Sequence, residues 1–133
     1  MNTERENRRT IFLIEEDEQT RKPLVDNLRR YGYRVIVAVD EGDALERVGG
    51  GHVPADLILV NLVRTSAEQA LRVGRRVREH AKYDGHTPLV VMPEKYDREV
   101  EGTEANVEGN DWIFHLGEEP DQLRNFLARL LPA

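Results

Sequence analysis

Asp56-Leu57-Ile58-Leu59-Val60-Asn61 sets four consecutive apolar residues, two of them β-branched, between Pro54 and the polar run Arg64-Thr65-Ser66. An apolar run this short reads as a strand buried on both faces, as in the middle of a parallel sheet. In open α/β sheets the chemistry lies just beyond the carboxyl ends of the strands, so Asn61 stands where a functional side chain is expected. An amide there can donate and accept hydrogen bonds. It carries no charge and is a poor nucleophile.

The same pattern repeats outward from this strand. Upstream, Ile11-Phe12-Leu13-Ile14 is a second buried run that ends in the acidic loop Glu15-Glu16-Asp17-Glu18. Leu24, Val25, Leu28 and Tyr31 then recur at helical spacing, with Thr20 as a candidate N-cap, Pro23 tolerated only in the first turn, and Gly32 as the stop. Residues 34–39 are mostly β-branched and form another strand, after which Asp40 caps a helix through Ala44, Leu45 and Val48. Gly49-Gly50-Gly51 closes that helix. It follows a helix instead of opening one and lacks a lysine, so it reads as a flexible connection and not as a phosphate loop.

Downstream of Asn61, Ala70, Val73 and Val77 mark the buried stripe of a helix over 66–80. Arg72, Arg75, Arg76 and Arg78 fall mostly outside the stripe, as a solvated face or a basic docking face would. Pro88-Leu89-Val90-Val91-Met92 is a fourth strand and Trp112-Ile113-Phe114 a fifth. Between them, 93–109 is polar, interrupted by Gly102, and reads as a short irregular helix. Leu123, Phe126, Leu127, Leu130 and Leu131 give a final helix, with Pro120 near its first position.

The 133 residues suit one domain, here 10–133, behind an N-terminal tail over 1–9 that has no hydrophobic periodicity and is expected to be mobile. A net charge of −6 and a pI near 5.3 argue against non-specific nucleic-acid binding. There is no cysteine, so disulfides and thiolate metal sites are excluded. No apolar run approaches the ~20 residues of a membrane helix, and the charged start is unlike a signal peptide, so a cytoplasmic protein without a membrane partner is expected. His52, His80 and His86 show no ligand spacing.

β-α repeated five times with short connections predicts an α/β fold, a doubly wound five-stranded parallel sheet in the order 2-1-3-4-5 with helices on both faces. Its switch point, between the first and third strands, would gather Glu15, Glu16 and Asn61.

These residues resemble a family. From about residue 10 to 131 the chain resembles the receiver domain of two-component response regulators, which has a flavodoxin-like fold. The resemblance rests on Ile11-Phe12-Leu13-Ile14-Glu15-Glu16-Asp17, Asp40-Glu41-Gly42-Asp43-Ala44-Leu45, Ala55-Asp56-Leu57-Ile58-Leu59-Val60-Asn61-Leu62 and Asn110-Asp111-Trp112-Ile113, in that order and spacing.

The resemblance implies that Glu15 and Glu16 match the acidic cluster that holds Mg²⁺ in receivers, and that Asn61 matches the phosphorylated aspartate. Asn61 cannot form an acyl phosphate, and its loss of a carboxylate removes one ligand for a hard cation, leaving at most weak Mg²⁺ binding by Glu15 and Glu16. Met92 matches the hydroxyl residue that tracks the phosphoryl group. His115 and Leu116 match the lysine and cis-proline after the fifth strand, and Trp112 matches the aromatic that reports activation. His115 is expected to partner Glu16, and the His115–Leu116 bond to be trans, with Gly117 supplying a permissive turn.

Losing acceptor, hydroxyl, lysine and proline together implies a degenerate pseudo-receiver. The expected function is a phosphorylation-independent signalling or adaptor module, not an enzyme and without a required cofactor. It would bind a protein partner, with a second copy as one candidate, through the face made by the fourth helix, fifth strand and fifth helix, and with Trp112 as anchor. Two alternatives compete with it. One is a Mg²⁺-dependent phosphoacceptor using Asp17 or Glu16, and the other is a small-ligand sensor on the same fold.

Overall fold

A computed structural model describes residues 8–132 apart from 95 and 120. The expectations for the tail over 1–7 and for Pro120 as a helix opener lie outside the described residues. The sheet comprises β1 (Thr10–Glu15), β2 (Arg34–Ala38), β3 (Leu57–Asn61), β4 (Leu89–Val91), β5 (Glu104–Glu108) and β6 (Asp111–Phe114). Four helices cover it, α1 (Glu18–Arg30), α2 (Glu41–Gly49), α3 (Ala67–His80) and α4 (Gln122–Leu130).

The strand order is β2-β1-β3-β4-β6-β5, with every neighbour parallel except the antiparallel β5–β6 pair. The predicted 2-1-3-4-5 order therefore holds for the parallel strands, and a sixth strand extends the sheet beyond it. The irregular helix expected over 93–109 is corrected by the same observation. Only one 3₁₀ turn, Arg98–Val100, stands there, followed by β5. Glu108 pairs with Asp111 across a two-residue loop whose first position, Gly109, has φ +54, the backbone that tight hairpins reserve for glycine. Asn106 braces the hairpin by donating from Nδ2 to the carbonyls of Gly109 and Asp111. Among the described residues, then, the face predicted from a fourth helix is built from a strand.

Alternation along the strands sorts the core onto two sides. Ile11, Leu13, Leu57, Leu59 and Val90 pack with α1 and α4 through Leu28, Phe126 and Leu127. Phe12, Ile14, Ile58, Val60 and Leu89 pack with α2 and α3 through Ala44, Val48 and Val77. β1 and β3 are each buried along nearly their whole length, as two-sided coverage demands. At Gly74 a Cβ would lie 2.3 Å from Leu89 Cδ1, so the glycine is what lets α3 approach β4 this closely.

Helix starts follow local hydrogen bonding. Asp17, not Thr20, caps α1: its carboxylate accepts from Gln19 N at 3.0 Å and from Thr20 Oγ1 at 2.7 Å. The helix consequently begins earlier than expected, and Pro23 lies inside it, past the first turn. Ser66 and Gln69 form a reciprocal capping box at the start of α3. Arg9 is already part of the fold, since its carbonyl accepts from Arg34 N at 3.0 Å and its guanidinium reaches Asp56 at 3.7 Å. No helix among the described residues is long and apolar enough to cross a membrane.

Candidate functional site

Placing β1 beside β3 in parallel register sets Glu15 opposite Asn61 at the carboxyl edge of the sheet. The predicted crevice forms here, and its groups are occupied by one another. Asn61 Nδ2 donates to Glu15 Oε1 at 2.8 Å, and the Asp17 amide donates to Glu15 Oε2 at 3.1 Å. Glu15 is 0% exposed. Burial pushes its carboxyl above the usual carboxylate range, against the pull of the Asp17 amide and Asn61 hydrogen bonds. Glu16 turns the other way and accepts from Val63 N at 2.8 Å, tying the acidic loop to the segment after β3. Arg21, which the sequence patterns did not single out, clamps the loop from α1. Its Nε donates to Glu15 O at 3.0 Å and its Nη2 to Glu16 O at 3.2 Å.

This geometry is a poor fit for Mg²⁺. Both Glu15 oxygens are engaged, Glu16 Oε1 is directed at a backbone amide, and Asn61, whose Nδ2 is held by Glu15, has only a neutral oxygen to offer. Among the described residues no three His, Asp or Glu side chains are grouped as a cation would require. Asp17, one candidate substitute acceptor, is committed to capping α1, and hydrogen bonds from Thr20 and Gln19 hold its carboxyl below its ordinary value. Asp56 sits at the opposite end of β3, where its carboxylate accepts from Thr10 N at 2.8 Å.

The remaining matched positions separate. Met92 is 3% exposed and packed in the core on the α1–α4 side. Among the described residues no hydrogen bond or ion pair joins His115 to Glu16. The His115 ring lies 5.1 Å from that of Tyr96, and its Nδ1 is 3.5 Å from Thr103 Oγ1, just before β5. Tyr96 in turn donates to the Leu116 carbonyl. The His115–Leu116 bond is trans. Gly117 does not adopt a left-handed backbone. Space is tight there instead: a Cβ would lie 2.5 Å from Gln122 Oε1, the movable end of a side chain, and 3.2 Å from the Gly102 amide.

Trp112 is half-buried, packed edge-on against Phe126 at 5.5 Å, with Nε1 donating to Asn110 Oδ1 at 2.8 Å. It ties the hairpin to α4 while part of its surface stays open to solvent.

The arginines of α3 are braces. Arg72 pairs with Glu68 and Arg76 with Glu41, while Arg75 and Arg78 converge on Asp111 at 2.8 and 2.7 Å. Asp111 is 4% exposed. Burial works to raise its pKa, and the hydrogen bonds from Arg78 and Arg75 overcome that and hold it below its ordinary value. The triad was legible only as separate charges; nothing in the spacing pairs Asp111 with residues 33 and 36 positions earlier.

No protein-family model and no curated protein matches the chain. Among solved structures it is similar to a response regulator receiver protein from Sinorhizobium medicae WSM419, with 19% identity, a TM-score of 0.71 and coverage of 96% of this chain and 97% of that one. It is also similar to the N-terminal domain of a response regulator/sensory box/GGDEF three-domain protein from Carboxydothermus hydrogenoformans, at 20% identity, TM-score 0.66 and coverage of 92% and 94%. A third is the receiver domain of a sensor histidine kinase from Pseudomonas aeruginosa PAO1 with a magnesium ion in its active-site cleft, at 22% identity, TM-score 0.64 and coverage of 95% and 99%. The fold is that of a response regulator receiver.

Proposed function

We propose that this receiver-fold chain is a signalling or adaptor module that works through protein contacts and independently of aspartyl phosphorylation, that is, a pseudo-receiver. One observation carries the reading: at the position matching the phosphoacceptor, Asn61 donates to the buried Glu15 at 2.8 Å. The crevice is satisfied internally by a neutral donor, where a phosphorylatable site needs a nucleophilic carboxylate and a cation. The surrounding positions agree. Met92 offers no hydroxyl to a phosphoryl group, and His115 is turned to Tyr96 and Thr103.

Incubation with acetyl phosphate and Mg²⁺ followed by intact mass tests this. The expected outcome is an unchanged mass. A gain of ~80 Da in base-labile form, as phosphorylation on a carboxylate gives, would overturn it and favour Asp17 or Glu16 as acceptor.

A further inference from the structure

Residues 94–121 hold ten Asp or Glu and two Lys or Arg, a local charge of −8 in a chain whose total is −6, so the rest of the molecule is slightly basic. Part of this acidity is neutralised inside the fold, where Asp111 meets Arg75 and Arg78, Glu104 meets Arg129, and Asp121 meets Arg124. Asp97, Glu99, Glu101, Glu118 and Glu119 are exposed, and among the described residues no ion pair engages them. The two loops that carry them touch. The Gly102 amide donates to His115 O at 2.6 Å, and a Cβ on Gly117 would lie 3.2 Å from Glu101 Cγ. Their charges therefore gather at one end of β5.

β5 is also the open edge of the sheet. Among the described residues no strand lies beyond it, Ala105, Asn106, Val107 and Glu108 are exposed, and Val107 is 46% exposed. His115 N donates to Thr103 O while Thr103 N turns to Val100 O, so Thr103 and His115 share one bond of a hydrogen-bonded pair at the end of the ladder. Alternation makes Ala105–Ile113 the next such pair, so the peptide groups of Glu104 and Asn106 face away from β6. An outward row of backbone donors and acceptors is a template for another strand.

We propose that the β5 edge accepts an extended, Lys- or Arg-bearing segment of a partner protein as a seventh strand. This rests on the reading of the chain as a protein-contact module and names the chemistry of the contact. Main-chain hydrogen bonds to Glu104 and Asn106 would supply register, and the acidic loops would select and steer a cationic strand. The irregularity between Asn106 and Glu108 breaks the ladder there and confines pairing to the upstream half of β5. A second copy of this chain is the disfavoured occupant, because it would bring two segments of the same strongly negative charge together.

The test uses the full chain and a fluorescein-labelled decapeptide of alternating Lys with Val or Thr, followed by anisotropy at low salt without phosphodonor. The peptide should bind and shift the amide resonances of Glu104 and Asn106. A copy N-methylated at alternate amides, with the same charge, should bind at least about tenfold more weakly because it cannot extend the ladder. Replacing Glu99, Glu101, Glu118 and Glu119 together by Gln should weaken binding about fivefold or more. No binding, equal binding of the N-methylated peptide, shifts confined to another face, or self-association of the protein through β5 would each overturn the proposal. Because no phosphodonor is present, such a failure leaves the intact-mass result untouched, and labelling by acetyl phosphate would leave the peptide result untouched.

Discussion

Asn61→Asp should destabilise the protein at pH 7, and by an amount the crevice geometry bounds. The substitution replaces an N–H donor 2.8 Å from Glu15 Oε1 by a carboxylate oxygen, next to a group that is 0% exposed and whose own ionisation is already opposed by burial. Two unit charges at that separation repel by about 6 kcal/mol at an effective dielectric near 20. The pair can escape by keeping one proton, and holding a carboxylic acid of ordinary pKa ~3.9 protonated at pH 7 costs about 4 kcal/mol. Water at the crevice mouth screens part of this, leaving about 2–4 kcal/mol, or on the order of 10 °C in Tm for a chain of this size. The sign with pH follows. A carboxyl whose folded pKa is raised gives full stability below its unfolded value and loses it as pH rises through the folded one. The gap between variant and wild type should therefore close as pH falls toward ~4. Thermal unfolding by circular dichroism at pH 4.5, 6 and 7.5 measures it. A variant as stable as wild type at pH 7.5, or a gap independent of pH, would refute the contact between Asn61 and Glu15.

Three further outcomes are expected. Asp111→Asn should cost about 3 kcal/mol, because Arg78, only 15% exposed, is left beside a neutral partner; chemical denaturation at pH 7 checks it. The lowered pKa of Asp111 contributes stability above pH ~4 that is lost as pH falls through its folded value, so the variant should show a shallower acid limb than wild type. Gly74→Ala should destabilise by about 1–3 kcal/mol through its collision with Leu89, and Leu89→Ala in the same background should recover part of the folding cooperativity seen in urea melts. Trp112→Ala should lose about 2 kcal/mol with its contact to Phe126, less than a fully buried aromatic would, and a fully stable variant would contradict that packing.

The parallel part of the fold was readable because buried strands announce themselves as short apolar runs, and β1, β3 and β4 are such runs. β5 was not, because Glu104-Ala105-Asn106-Val107-Glu108 is an edge strand, exposed and polar, and its apolar positions are too few to show a period. Gly109-Asn110, a two-residue turn before a strand, was the signal available. At the site, Glu15 and Asn61 followed directly from where β1 and β3 end. His115 did not, since its partner depended on the hairpin. The pairing of Asp111 with Arg75 and Arg78 depends on how α3 lies against the end of β6, a tertiary fact that no local periodicity encodes.

A crevice between β1 and β3 that is closed on itself, as proposed, should respond to neither Mg²⁺ nor a phosphodonor. ¹H–¹⁵N spectra of the protein titrated with Mg²⁺ and then acetyl phosphate, read at the Asn61 side-chain amide and the backbone amides of Glu16, Asp17 and Val63, test it most directly. These resonances should stay in place through about 10 mM of each, apart from uniform salt effects. Saturable shifts centred on those amides, spreading to Met92 and Trp112, would contradict it.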